Sequence, residues 1–210
     1  VLRAMLLLPL GGADAALRAC LPQVLRRGTD KLRDMNAIGA ALDELYGARI
    51  ESAIRKEGET LCIGFLADCI DESYVPGGDK PAAGVIRLLA DLLCAPYLEN
   101  GVFLPSYVEG ERAGLIDRIA ALKNDPRSWA LRRLTEIMCA GEPYGQSALG
   151  TAEQAERITP EALLVAWKHA LSQAQIELFY CGTTPPDAIE ALFAETPLAA
   201  PRTALPALPR

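Results

Sequence analysis

Histidine is almost absent from this 210-residue chain, the one instance being His169, and that scarcity excludes more than any motif includes. A metal site built on two histidines cannot be assembled within the chain. A Ser-His-Asp triad would depend on one residue in a helical Trp-Lys-His-Ala setting. The plain reading of His169 is a partly exposed helix position. Long apolar runs are lacking as well: residues 6–10 stop at Gly11 and Gly12, and residues 61–70 carry Asp68. Neither approaches the roughly eighteen residues that a membrane-spanning helix needs. The first residues have neither the basic start nor the cleavage site of a signal peptide, so a soluble, cytoplasmic chain is expected.

A basic excess is missing too. The 27 acidic and 21 basic residues give a net charge of −6 and are mixed along the chain without the basic stripe of a nucleic-acid footprint. Nucleic acid is not an expected partner. Six cysteines, Cys20, Cys62, Cys69, Cys94, Cys139 and Cys181, include no C-x-x-C pair. Free thiols in a reducing compartment are expected, rather than a zinc knuckle or a disulfide framework.

What is present is core-forming material, with 50% hydrophobic residues, enough for one sizeable core. Residues 2–10 form an apolar run closed by Pro-Leu-Gly-Gly, which predicts a buried strand. Asp14 is placed to cap a helix beginning at Ala15. Over 15–26 the positions Ala16, Leu17, Cys20, Leu21, Val24 and Leu25 recur at helical spacing. Pro22 inside that helix should kink or shorten it. Asp34 is a good N-cap, and Met35, Ile38, Ala41, Leu42 and Leu45 predict a second amphipathic helix ended by Gly47.

Residues 48–56 alternate, with Ile50, Ser52 and Ile54 on one face and Arg49, Glu51, Ala53 and Arg55 on the other. Glu57-Gly58-Glu59 then turns the chain into a second strand over 60–68, a hairpin. Helices are expected over 80–94, 106–122, 126–139 and 159–171, then a strand over 175–181 and a short helix over 185–194. The Pro-rich tail 196–210 reads as a linker toward a second domain. The expected fold is α+β: a mainly antiparallel sheet of about four strands with several helices packed against it. One domain is expected over 1–195. Its start at Val1, without an initiator methionine and with a strand under way, implies a fragment of a longer protein.

Three stretches carry a family resemblance. Leu25-Arg26-Arg27-Gly28-Thr29 is followed by Leu42-Asp43-Glu44-Leu45-Tyr46-Gly47-Ala48. Val108-Glu109-Gly110-Glu111-Arg112 is followed by Lys123-Asn124-Asp125-Pro126. Gly141-Glu142-Pro143-Tyr144-Gly145 is followed by Ile158-Thr159-Pro160-Glu161. In this order they resemble one half of an insulinase-family (M16) zinc peptidase, and most of all the N-terminal half of a bacterial member that lacks the zinc motif. In active members the helix before Gly-Thr bears H-x-x-E-H, whose histidines bind zinc while the glutamate activates water. Counting back from Gly28, Ala19, Pro22 and Gln23 stand at those positions. The family's third ligand, a glutamate, falls on Arg118, and a guanidinium cannot coordinate zinc. The resemblance therefore implies a zinc family, but no zinc or other cofactor is expected in this chain. A slip of register cannot supply histidines that the first 168 residues do not contain.

That resemblance implies a non-catalytic domain that pairs with an active zinc-bearing M16 subunit, and with the second half of its own chain, in a heterodimeric chamber for unfolded peptides. In active relatives the strand after the second helix is a sheet edge on which substrate adds as a further strand. Here that segment is Ala48, Arg49, Ile50, Glu51, Ser52, Ala53 and Ile54, where backbone pairing would bind peptides with little sequence preference. An ordinary edge strand guarded by charges explains the same residues. The alternatives are a free-standing peptide-binding scaffold and an active metallopeptidase. Glu111 and Arg112 read as a solvated helix face, and residues 141–150 as a turn between helices.

Overall fold

A computed structural model describes residues 1–11 and 15–200. Asp14, expected as a cap, and the tail beyond residue 200 lie outside the described residues. The first strand, β1 (Leu2–Pro9), sits inside a sheet with β2 (Arg49–Glu57), β3 (Thr60–Asp68) and β6 (Gln175–Tyr180), in the order β2-β3-β1-β6. Every pairing is antiparallel. Burial on both faces explains why β1 reads as an unbroken apolar run. Leu2, Ala4, Leu6 and Leu8 join the main core, while Met5 and Leu7 meet Cys62 on the opposite face.

β2 and β3 form the expected hairpin, with Glu57 opposite Thr60 across Gly58-Glu59. Glycine is required in β3 at Gly64, because a Cβ there would come within 2.1 Å of the Ala4 carbonyl oxygen on β1. The remaining strands, β4 (Leu98–Glu99) and β5 (Val102–Phe103), make a small separate hairpin. Its Asn100-Gly101 turn has both φ angles positive, 52° and 81°, as a two-residue turn that matches strand twist requires.

The main-core face of the sheet is covered by helices. α1 (Ala15–Leu25) buries eight of its eleven residues and α3 (Pro81–Cys94) ten of its fourteen. α4 (Pro105–Ala121) and α7 (Pro160–Gln173) contribute Val108, Leu115, Leu163 and Ala170 to the same core. Trp167 of α7 donates its Nε1–H to the Leu93 carbonyl at 2.8 Å and meets Phe103 edge-on at 6.2 Å. α2 (Met35–Glu44) starts at Asp34, whose carboxylate accepts from the Ala37 N–H at 2.8 Å. α5 (Pro126–Met138), α6 (Ala152–Glu156) and α8 (Pro186–Ala194) complete the set. α6 carries a reciprocal Thr151–Gln154 capping box.

Several local expectations change. The first helix runs unbroken from Ala15 to Leu25 with Pro22 buried inside it, because the burial of most of its residues outweighs the lost ladder bond. Met35, expected on the core face of α2, is 40% exposed, and Ile38 is the buried residue of that helix. Residues 196–199, expected to belong to a linker, remain packed: Leu198 is 5% exposed and Thr196 donates its hydroxyl to the Phe193 carbonyl. His169 is an exposed position on α7. No helix among the described residues is long and apolar enough to cross a membrane.

Candidate functional site

The positions that the zinc motif would occupy lie on α1, which packs against α4, α6 and α7. Ala19 and Pro22 are buried in that packing and Gln23 is partly buried. Gly28 and Thr29 fix how the helix ends. A Cβ on Gly28 would sit 2.6 Å from the Arg33 carbonyl oxygen. Buried Thr29 accepts the Leu32 N–H on its Oγ1 at 3.0 Å and bridges to Pro96. The Gly-Thr pair is thus a structural turn.

α4 presents Glu111, Arg112 and Arg118 toward this helix, and Cys20, next to Ala19, feels all three. Burial first and the Glu111 charge second push the Cys20 thiol up to about 12, with Arg118 and Arg112 opposing. The thiol is therefore protonated at neutral pH and is a poor nucleophile. Arg118 donates its Nε–H to the Gly114 carbonyl at 3.3 Å, and its buried Nη2 finds no partner among the described residues. Sequence reasoning placed Ala19, Pro22, Gln23 and Arg118 at one site, and the fold brings the helices that carry them together.

Glu111 and Arg112 are not the solvated face expected of them. Arg27 Nε and Glu111 Oε1 form an ion pair at 2.6 Å, with the Glu111 side chain 16% exposed, and the Arg27 guanidinium lies over the Tyr107 ring. Arg112 donates to the Ile158 carbonyl at 3.3 Å. The pair ties α4 to the end of α1 and to the junction of α6 with α7. A helical Glu-Arg looks the same in sequence whether it meets water or a neighbouring element.

These residues do not fit a zinc ion. Alanine and proline offer no donor, and Arg118 brings a positive charge that a cation would have to displace. Among the described residues no group of three or more His, Cys, Asp or Glu could hold a metal.

The other candidate is β2, which the strand order places at a sheet edge. Along Ala48–Ile54 of the sequence, Ala48 and Ile50 are buried, Arg49 and Glu51 are exposed, and Ser52, Ala53 and Ile54 are partly buried. The far end of the strand is covered. Lys56 donates its ammonium to the Tyr144 and Gln146 carbonyls at 2.8 and 3.0 Å and sits 4.5 Å from the Tyr144 ring centroid. Burial and then the charge of Arg132 lower the Lys56 pKa. A cavity of about 330 Å³ opens beside this contact, lined by Leu131, Arg132, Glu136 and Leu149 among others. This latch between β2 and the 141–150 loop was not foreseen. The one signal for it is a lysine in an otherwise alternating strand.

No family model matches the chain. In sequence it is 32% identical over 177 residues to the probable inactive metalloprotease YmfF of Bacillus subtilis, a match covering 84% of this chain and 42% of that protein. In fold the chain is an M16-like domain. A conserved protein of Enterococcus faecalis V583 superposes on the M16-like domain with a TM-score of 0.88 at 19% identity, over 99% of this chain and 49% of the other. The peptidase M16 inactive domain of Pseudomonas fluorescens gives 0.67 at 18% identity, over 98% and 47%. The M16-like domain thus spans somewhat under half the length of these proteins. The expected α+β architecture and its family resemblance both hold.

Proposed function

We propose that this M16-like domain is catalytically silent, works in the cytoplasm without zinc, and pairs with a zinc-bearing M16 subunit and a second M16-like half to enclose unfolded peptides. The observation that carries the reading is the α1–α4 seam, which buries Ala19 and Pro22 and yet has Ala19, Pro22, Gln23 and Arg118 where a zinc site would need ligands and a base. Its contribution is assembly and binding. The similarity to a probable inactive metalloprotease supports the loss of catalysis. Residues 48–54 of the open β2 edge are the proposed peptide-binding strand, since backbone hydrogen bonds there take any extended chain.

Elemental analysis of the purified chain, equilibrated with zinc and free of any metal-binding tag, tests the first part. Zinc far below one per chain is expected, and near-stoichiometric zinc sinks the reading. Co-expression with an H-x-x-E-H subunit encoded beside it tests the second. Co-purification at a fixed ratio is expected, whereas two proteins that elute independently would leave a free-standing scaffold.

A further inference from the structure

The sheet has a second edge, at β6. Val1 and Cys181 exchange two backbone hydrogen bonds, at 2.8 and 2.9 Å, which sets the phase of the β1–β6 ladder. Bonded pairs alternate in an antiparallel ladder, so Phe179 opposite Arg3 and Glu177 opposite Met5 bond inward to β1. Ile176, Leu178 and Tyr180 consequently aim their N–H and C=O groups away from β1, where they meet no backbone partner among the described residues.

The side chains of those three residues lie on the helix-covered face, opposite Leu6, Ala4 and Leu2. Even so, Leu178 is 39% exposed. A groove of about 350 Å³ opens there between β6 and α8, lined by Ile189 and Phe193. The core is unfinished at this edge. β2, by contrast, carries Arg49, Glu51, Arg55, Lys56 and Glu57. The one charge on β6 is Glu177, already engaged by Arg3.

We propose that β6 pairs antiparallel with β6 of a second copy of this chain, joining two four-stranded sheets across a twofold axis through Leu178. The strand is self-complementary in that register. With Leu178 opposite itself, Ile176 falls opposite Tyr180, and Glu177 falls opposite Phe179. The residues with outward backbone groups are the ones that meet, so each pair exchanges two hydrogen bonds. The helix-side contacts are all apolar, and Phe179, 47% exposed in one copy, gains cover from the second. A register shifted by one residue would set the core side of one copy against the opposite side of the other. A closed twofold arrangement is the commonest way for like chains to associate. The proposal rests on the β6 edge alone and stands apart from the peptidase reading.

Sedimentation equilibrium over a range of concentrations, with amide exchange read at Ile176, Leu178 and Tyr180, tests it. A dimer that grows with concentration is expected, with exchange at those amides slowing in step. Leu178→Pro removes both central donors while sparing the β1 ladder, and should weaken dimerisation roughly tenfold to a hundredfold. Leu178→Lys, which brings two like charges together on the axis, should do the same with no proline in the strand. Circular dichroism of each variant confirms a folded chain. A monomer at every concentration overturns the proposal, as does a dimer indifferent to both substitutions. Protection of the three amides in a monomer would give the edge to some other strand and overturn it too.

Discussion

Helices α1 and α5 are similar in length and opposite in circumstance. α1 buries eight of eleven residues, and its neighbourhood is tied by the Arg27–Glu111 pair. α5 buries none of its thirteen and exposes Leu131, Leu134, Ile137 and Met138. Its own ion pairs, from Arg132 and Arg133 to Glu136, stay within the helix. Apolar content therefore does not decide which helix belongs to the core. What decides it is whether neighbouring elements close over the apolar stripe. The seam that would hold chemistry in an active relative is a buried part of this chain, and α5 is a part with surface to spare.

Substitutions at matched positions would sharpen that contrast. The largest effect is expected from Leu21→Ala, which empties a fully buried site on α1 and should cost about 2–5 kcal/mol in urea unfolding. A cost below about 1 kcal/mol would mean that the α1 seam is looser than its packing implies. Arg27→Ala strips the partner from the part-buried Glu111 carboxylate and should cost about 1–2 kcal/mol. The loss should shrink little at molar salt, since screening is weaker away from bulk water. Lys56→Met should cost about 1 kcal/mol and speed exchange at the backbone of residues 144–146, because the ammonium no longer bonds two carbonyls there. The smallest effect is expected on α5, where Leu134→Ser should change stability by no more than about 0.5 kcal/mol. A larger loss there would show that α5 is buried by a partner in solution.

The Cys20 thiol marks the α1 seam by pH as well. Its folded-state pKa lies near 12, above the ordinary value of 9.0, so the unfolded chain loses this proton first as pH rises. The stabilisation is complete below pH 9 and is lost on the way to pH 12. A thiol reagent at mildly alkaline pH should label exposed Cys181 within its mixing time and leave Cys20 untouched until the chain unfolds. Equal labelling rates would contradict the packed seam.

Much of the fold is legible in the sequence. The β2–β3 hairpin follows from a period of two on either side of Glu57-Gly58-Glu59, and the α2 start follows from Asp34. The empty motif positions follow from counting residues alone. Three features are not legible in the same way. The β4–β5 hairpin has strands too short for any period, although its Asn100-Gly101 turn is a usable signal. Pro22 misleads, because local propensity yields to the burial of a helix's core face. The partners of Glu111, Arg112 and Lys56 lie 84, 46 and about 90 residues away, and no local pattern encodes a contact across such a distance.

The placing of the two tryptophans has an optical consequence. Trp167, hydrogen-bonded to Leu93 and set edge-on to Phe103, belongs to the core, while Trp129 lies on α5 between Lys123 and Arg132. The chain has no other indole, so Trp129→Phe and Trp167→Phe give two single-emitter proteins. Light from Trp167 tracks the melting of the whole core. Light from Trp129 reports whatever comes to rest on α5, and does so without any label.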